Sequence, residues 1–200
     1  MLKNNAVSVV LLWCLPAVMV AACLLFDPFA RELVVKAISI DQLTAAQRSN
    51  VAVAARALNG YILAPGETFS FNRVVGPRTF RRGYAASPSY LDFETPNTFG
   101  GGICVLSSVL YQVGLEGGLT VVERHPHTRP MKTVKPGQDA TVWYGGPDLK
   151  LTNRYSFPIQ MRAGVENGEL RIALAAGRFR VIQPKSELTA MSKSRRAGQI

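Results

Sequence analysis

Hydrophobic and polar positions divide the chain into stretches of different character. Residues 6–26, "AVSVVLLWCLPAVMVAACLLF", carry no charge. As a helix rising about 1.5 Å per residue, they are long enough to cross a hydrocarbon layer of about 30 Å. Further on, "SIDQLTAAQRSNVAVAARALNG" places Leu43, Val51, Ala54, Ala55 and Leu58 on one helical stripe, with Asn59-Gly60 as the stop. "YILAPGETFSFNRVV" alternates like a strand around Pro65-Gly66, with Phe69 and Phe71 on one side. The stretch from Gly76 to Thr98 is irregular and rich in Pro, Gly, Arg and Tyr. Loops of that length in a compact domain tend to be functional. A second helix is expected from about Ile103 to Leu115, ending at Gly117-Gly118. Beyond it "LTVVERHPH", "DATVWYG", "DLKLTN", "FPIQMRAGV" and "GELRIALAA" read as short strands, and Asn167-Gly168 signals a hairpin.

This order predicts an α+β fold: one mainly antiparallel β domain with two helices, preceded by a transmembrane or signal-anchor helix. The expected divisions are 1–30 for the membrane anchor or export signal, 31–44 for a linker, 45–176 for the domain and 177–200 for a basic flexible tail. Val20-Ala21-Ala22-Cys23 also resembles a bacterial lipobox, which would tether the chain through a lipidated Cys23.

Charge adds a partner class. After position 30 there are 22 basic and 12 acidic residues, which account for the whole net charge of +10. A basic surface outside a membrane is drawn to anionic headgroups or wall polymers. No nucleic-acid recognition motif accompanies the charge, so nucleic acid is not an expected partner.

Candidate chemistry gathers around "TFGGGICVLSSVLYQVG". Cys104 is the one cysteine beyond residue 23, so it has no partner for a disulfide within the domain. Gly100, Gly101 and Gly102 permit a close backbone approach to a ligand, though no Gly-Lys-Ser/Thr follows to make a phosphate loop. A thiol at a helix N-terminus faces unpaired N–H groups and the positive dipole end, which favour the thiolate and an oxyanion. Ser107, Ser108 and Tyr111 fall on the same helical face. Both histidines lie in "ERHPHTRP"; if that run is extended, Glu123, His125 and His127 point one way.

One cysteine with nearby histidines is the minimum for thiol acyl transfer. The same Cys104, His125 and His127 also suit a zinc site. A buried structural cysteine beside two chemically idle loop histidines is the plainest alternative. Glu67, Asp92 and Glu94 offer carboxylates for general-acid work on a glycan.

Five segments, "ALNGYILAPGETFSFNRVVGPRTFRRGY", "GGGICVLSSVLYQVGL", "VERHPHTRP", "GQDATVWYG" and "DLKLTNRYSFPI", together resemble the VanW family of bacterial envelope proteins. The resemblance runs from about Ala45 to Leu174. It implies a tethered extracytoplasmic domain acting on or near the cell wall, with peptidoglycan or a wall precursor and the membrane as partners and no cofactor. The family's glycine-cysteine motif falls on Gly100, Gly101, Gly102, Cys104, Ser107 and Ser108, and its histidine motif on Glu123, His125 and His127. Where family members usually carry Gln after the cysteine, this chain has Val105, which removes one candidate oxyanion donor. Three functions are therefore expected in turn: a Cys104 nucleophile with His125 or His127 as base and Glu123 beside them; a non-catalytic wall-binding module; and a zinc-site structural domain. Gly100, Gly101, Gly102, Ser107, Ser108, Glu67 and Tyr111 are the candidate substrate-binding positions.

Overall fold

The structure, a computed structural model, describes residues 27–88, 97–131 and 133–178. In chain order the first half contains β1 (Arg31–Ser39), α1 (Ala45–Leu58), β2 (Ile62–Leu63), β3 (Thr68–Ser70), α2 (Phe71–Val75), a 3₁₀ turn (Phe80–Arg82), β4 (Ala86–Pro88) and β5 (Asn97–Phe99). The second half contains α3 (Cys104–Glu116), β6 (Thr120–Glu123), β7 (Lys150–Thr152), β8 (Ile159–Glu166) and β9 (Glu169–Ala176). Every strand pairing is antiparallel. One sheet has the order β1-β9-β8-β2, a second β3-β7-β6, and β4-β5 form a separate hairpin. The mainly antiparallel α+β expectation holds for the described residues. The apolar run of residues 6–26, Cys23, Asp92, Glu94 and the tail beyond residue 178 lie outside them. Among the described residues no helix is long and apolar enough to cross a membrane.

Several elements follow directly from local chemistry. Asn167 and Gly168 both have positive φ, 48° and 77°, as the tight β8–β9 turn requires. Thr44 and Gln47 form a capping box at the start of α1, and Val51, Ala54, Ala55 and Leu58 are buried as the stripe predicted. The packing of α1 is against β8, whereas α3 packs against β9 and β1. Apolar residues surround α3 almost completely, the mark of a helix inside the core. Gly114 brings it against the second sheet: a Cβ there would lie 2.9 Å from Leu151 Cδ1.

Three segments differ from expectation, the first being residues 71–75, which leave the expected strand at Ser70 and form α2, a third helix beside the two expected. Residues 31–39, read as linker, form β1 along the edge of the main sheet. None of its side chains is fully buried, so no alternating pattern marked it as a strand. "DATVWYG", read as a strand, belongs to no sheet. Side chains of α3 take up its backbone groups instead. Ser107 Oγ donates to Ala140 O at 2.6 Å, and Ala140 N donates to Ser108 Oγ at 2.9 Å. Gln112 Nε2 donates to Gln138 O at 3.1 Å, and the Cys104 thiol approaches Val142 O at 3.8 Å. Residues 138, 140 and 142 thus present alternate backbone groups to one helical face, as they would to a neighbouring strand. The polar stripe of α3 is the edge that this segment lacks.

Candidate functional site

Cys104 opens α3 and lines a cavity of about 360 Å³. The walls include Phe99, Ile103, Met131, Val142, Trp143 and Tyr144, together with Arg78, Thr79, Thr98 and the three glycines. Three of the aromatic rings stand in solvent: Phe99 is 47% exposed, Trp143 45% and Tyr144 51%. Large exposed aromatics gathered at one concavity are unusual for an idle surface and typical of a ligand site.

The glycine triplet shapes this cavity by what it leaves out. Gly100 has φ +86°, and a Cβ there would lie 2.6 Å from Arg78 Cγ. The missing side chain lets the Arg78 stem lie against the loop. At Gly101 a Cβ would meet Ser87 O at 2.6 Å, so the loop is also pressed onto β4. Asn50 holds that contact from α1: its Nδ2 donates to Ala85 O, Ser87 Oγ and Gly101 O, each at 3.0 Å.

Among the described residues Arg78 is the one cation of the cavity wall. Its two terminal nitrogens donate to Gly76 O and Asn72 Oδ1, both at 2.8 Å, and its guanidinium lies 5.6 Å from the Phe71 ring centroid and 5.9 Å from that of Tyr144. Asn72 in turn donates to Trp143 O at 2.8 Å and Pro147 O at 2.9 Å. One amide therefore fixes both the cation and the aromatic loop. Burial pulls the Arg78 pKa below its ordinary value, which the charge of Asp148 only partly offsets, and Arg78 forms no ion pair among the described residues.

The thiol is not the activated one that its helix position suggested. Burial raises the Cys104 pKa, while the contact with Val142 O and the Arg78 charge only partly counter it. Desolvation outweighs the helix terminus because the sulfur faces apolar walls. Its hydrogen-bond partner is a carbonyl, not an imidazole.

The two histidines go separate ways, since β6 ends at Glu123 and the extended run stops before both of them. His125 is exposed, with Nε2 3.1 Å from Glu123 Oε1. Glu123 also meets Lys150 Nζ at 2.7 Å, and this bond is the main reason that its carboxyl lies below the ordinary range. The His127 ring is buried, its side chain 5% exposed, with Nδ1 donating to Asp139 Oδ2 at 2.7 Å. Asp139 also accepts from His127 N at 2.5 Å and from Arg124 Nη2 at 2.8 Å. Burial pushes the Asp139 carboxyl up, but these donors outweigh it and its pKa is lowered. His127 and Asp139 line a second hollow of about 220 Å³. Met131 belongs to the walls of both hollows.

The structure thus brings Gly100, Gly101, Gly102 and Cys104 together at one cavity. Ser107 and Ser108 are fully buried and hold Ala140, whereas Tyr111 stacks under the Arg124 guanidinium at 5.2 Å. Glu67 serves its own turn, accepting from Ala64 N at 3.0 Å and from Tyr61 Oη at 2.8 Å. A zinc set of Cys104, His125 and His127 is not assembled, and the described residues contain no group of three His, Cys, Asp or Glu able to hold a metal ion. Arg78, Asn72, Asp139, Trp143 and Tyr144 were missed. "WYGGP" carried a usable signal, two aromatics on a glycine turn. Nothing set Arg78 apart from the nearby Arg81 and Arg82.

Two curated proteins are similar to part of this chain. "Uncharacterized protein YoaR" of Bacillus subtilis (strain 168) is 43% identical over 125 residues, covering 62% of this chain and 41% of its own length. "Vancomycin B-type resistance protein VanW" of Enterococcus faecalis (strain ATCC 700802 / V583) is 35% identical over 109 residues, 52% of this chain and 40% of its own. The chain spans about two fifths of the length of these relatives. No solved structure matches it. The family model described as "VanW like protein" matches residues 46–175, well over half of the sequence, and the chain belongs to the VanW family.

Proposed function

We propose that this is a binding domain of the bacterial cell envelope, which holds a fragment of the wall or of its precursors in the cavity beside Cys104. The observation that carries the reading is the cavity itself: exposed Phe99, Trp143 and Tyr144 around a concave apolar floor, next to a thiol whose burial keeps it protonated. Aromatic faces of this kind stack on sugar rings and acyl chains. The basic surface and the uncharged N-terminal run fit a tethered, extracytoplasmic position. One relative's name mentions vancomycin resistance, which is compatible with work near the wall.

Co-sedimentation of the full chain with purified peptidoglycan sacculi tests this, at salt high enough to screen simple charge attraction. The wild type and Cys104→Ser are expected to pellet equally, and Trp143→Ala to bind about tenfold more weakly. Absence of pelleting, or its loss in Cys104→Ser, would overturn the reading.

A thiol acyl-transfer reading stands second, favoured by one observation. Asp139 fixes His127 through Nδ1, the arrangement that orients a base, and Met131 lines both its hollow and that of Cys104.

A further inference from the structure

We infer that Arg78 is a carboxylate anchor, so the cavity takes a ligand with one carboxylate joined to a small apolar body, such as the C-terminus of a short peptide. This rests on the binding role proposed above and specifies its chemistry.

The Arg78 guanidinium is half-buried and has no carboxylate within ion-pair distance among the described residues, Asp148 acting on it only from farther off. A guanidinium taken out of water is costly unless an anion or several acceptors face it. Arg78 has Gly76 O and Asn72 Oδ1, both neutral, the faces of Phe71 and Tyr144, and no carboxylate ion pair among the described residues. A guanidinium carries five N–H donors, so these two bonds leave others for a ligand. Carboxylates match the guanidinium fork bidentately.

The surroundings select the size of the charge. Among the described residues Arg78 is the sole cationic side chain on a wall otherwise made of apolar groups, threonines and glycines, and the thiol there is neutral. One negative charge balances one guanidinium. A phosphate dianion would leave excess charge among apolar groups, which such a site disfavours. A wholly neutral ligand would leave the cation as it stands.

Position agrees with this role. Gly100 has no side chain where the Arg78 stem passes, and Asn72 holds the guanidinium while also holding the Trp143 carbonyl. The anchor and the aromatic rim therefore keep a fixed separation. A ligand bound through its carboxylate would place its body against Val142, Trp143 and Tyr144, in a space of about 360 Å³. That volume suits one or two small residues rather than a long chain.

The test uses N-acetylalanine and its uncharged carboxamide as probes. Emission from Trp143 is followed in the full chain carrying Trp13→Phe, so that Trp143 is the only tryptophan. The acid is expected to bind about tenfold more tightly than the amide. Arg78→Met should bring the two affinities together, and Arg78→Lys should keep part of the difference. Since Arg78 also packs on Phe71, the melting curve of each variant is checked; if Arg78→Met does not fold, the wild-type ratio decides. Equal affinity for acid and amide, or no binding of either, would overturn the inference. Sacculus binding that persists with equal probe affinities removes the anchor and leaves the binding role. Acid selectivity without sacculus binding does the reverse.

Discussion

On the two sides of Met131 the same chain treats its reactive groups in opposite ways. On one side Cys104 faces apolar walls and a single cation, and burial keeps its sulfur protonated. On the other, His127 is held by a carboxylate that also binds Arg124. The thiol side is open and rimmed with exposed aromatics, and no carboxylate lines it among the described residues. On the imidazole side His127 Nδ1, Asp139 and Arg124 bind one another. A cavity with few internal bonds has something to offer a ligand, whereas a tightly bonded cluster mainly holds loops in place. Sequence proximity alone would have joined them into one centre.

The largest effect that would break this contrast is at Asp139. Asp139→Ala removes the acceptor shared by Arg124 and His127, and it should cost about 3 kcal/mol in urea unfolding, the low end for a nearly buried ion pair. The cluster also has a pH signature. Because the folded Asp139 carboxyl titrates below its unfolded value, it adds stability at pH values above the ordinary carboxyl pKa of about 3.9. That stability is lost as the pH falls through the folded value, so Asp139→Ala should flatten the acid limb of the stability profile. A steep acid limb in the variant would show that other carboxylates carry it.

A smaller effect is expected at the helix stripe. Ser108→Ala leaves the buried Ala140 N–H without its acceptor, and should cost about 1–2 kcal/mol by the same measurement. If these serines were poised for substrate instead, stability would hardly change and sacculus binding would fall.

Much of the frame was legible in the chain because its causes are local. The Asn167-Gly168 turn, the Thr44 cap and the stripe of α1 each depend on residues a few positions apart. The helix beginning at Cys104 was equally plain. β1 was not, because it lies on an edge and buries no full face. The site was legible only in part. Gly100 and Cys104 announced themselves, but the role of Gly100 is to admit Arg78, twenty-two positions earlier in the chain. Asp139 meets His127 across a twelve-residue separation that no spacing rule encodes. The serines after Cys104 looked like a site because they are polar on an apolar helix. They are polar because the segment at Ala140 has no strand beside it.

The pH dependence of Cys104 alkylation by iodoacetamide tests the central contrast most directly. With Cys14 and Cys23 replaced by serine, Cys104 is the only thiol, and its half-reactive pH should lie above the free-cysteine value of about 8.5, with native-state rates below those of the unfolded chain. A midpoint below 8.5, shifted upward by His127→Ala, would instead show a thiolate paired with an imidazole, and the binding-only account of this cavity would fail.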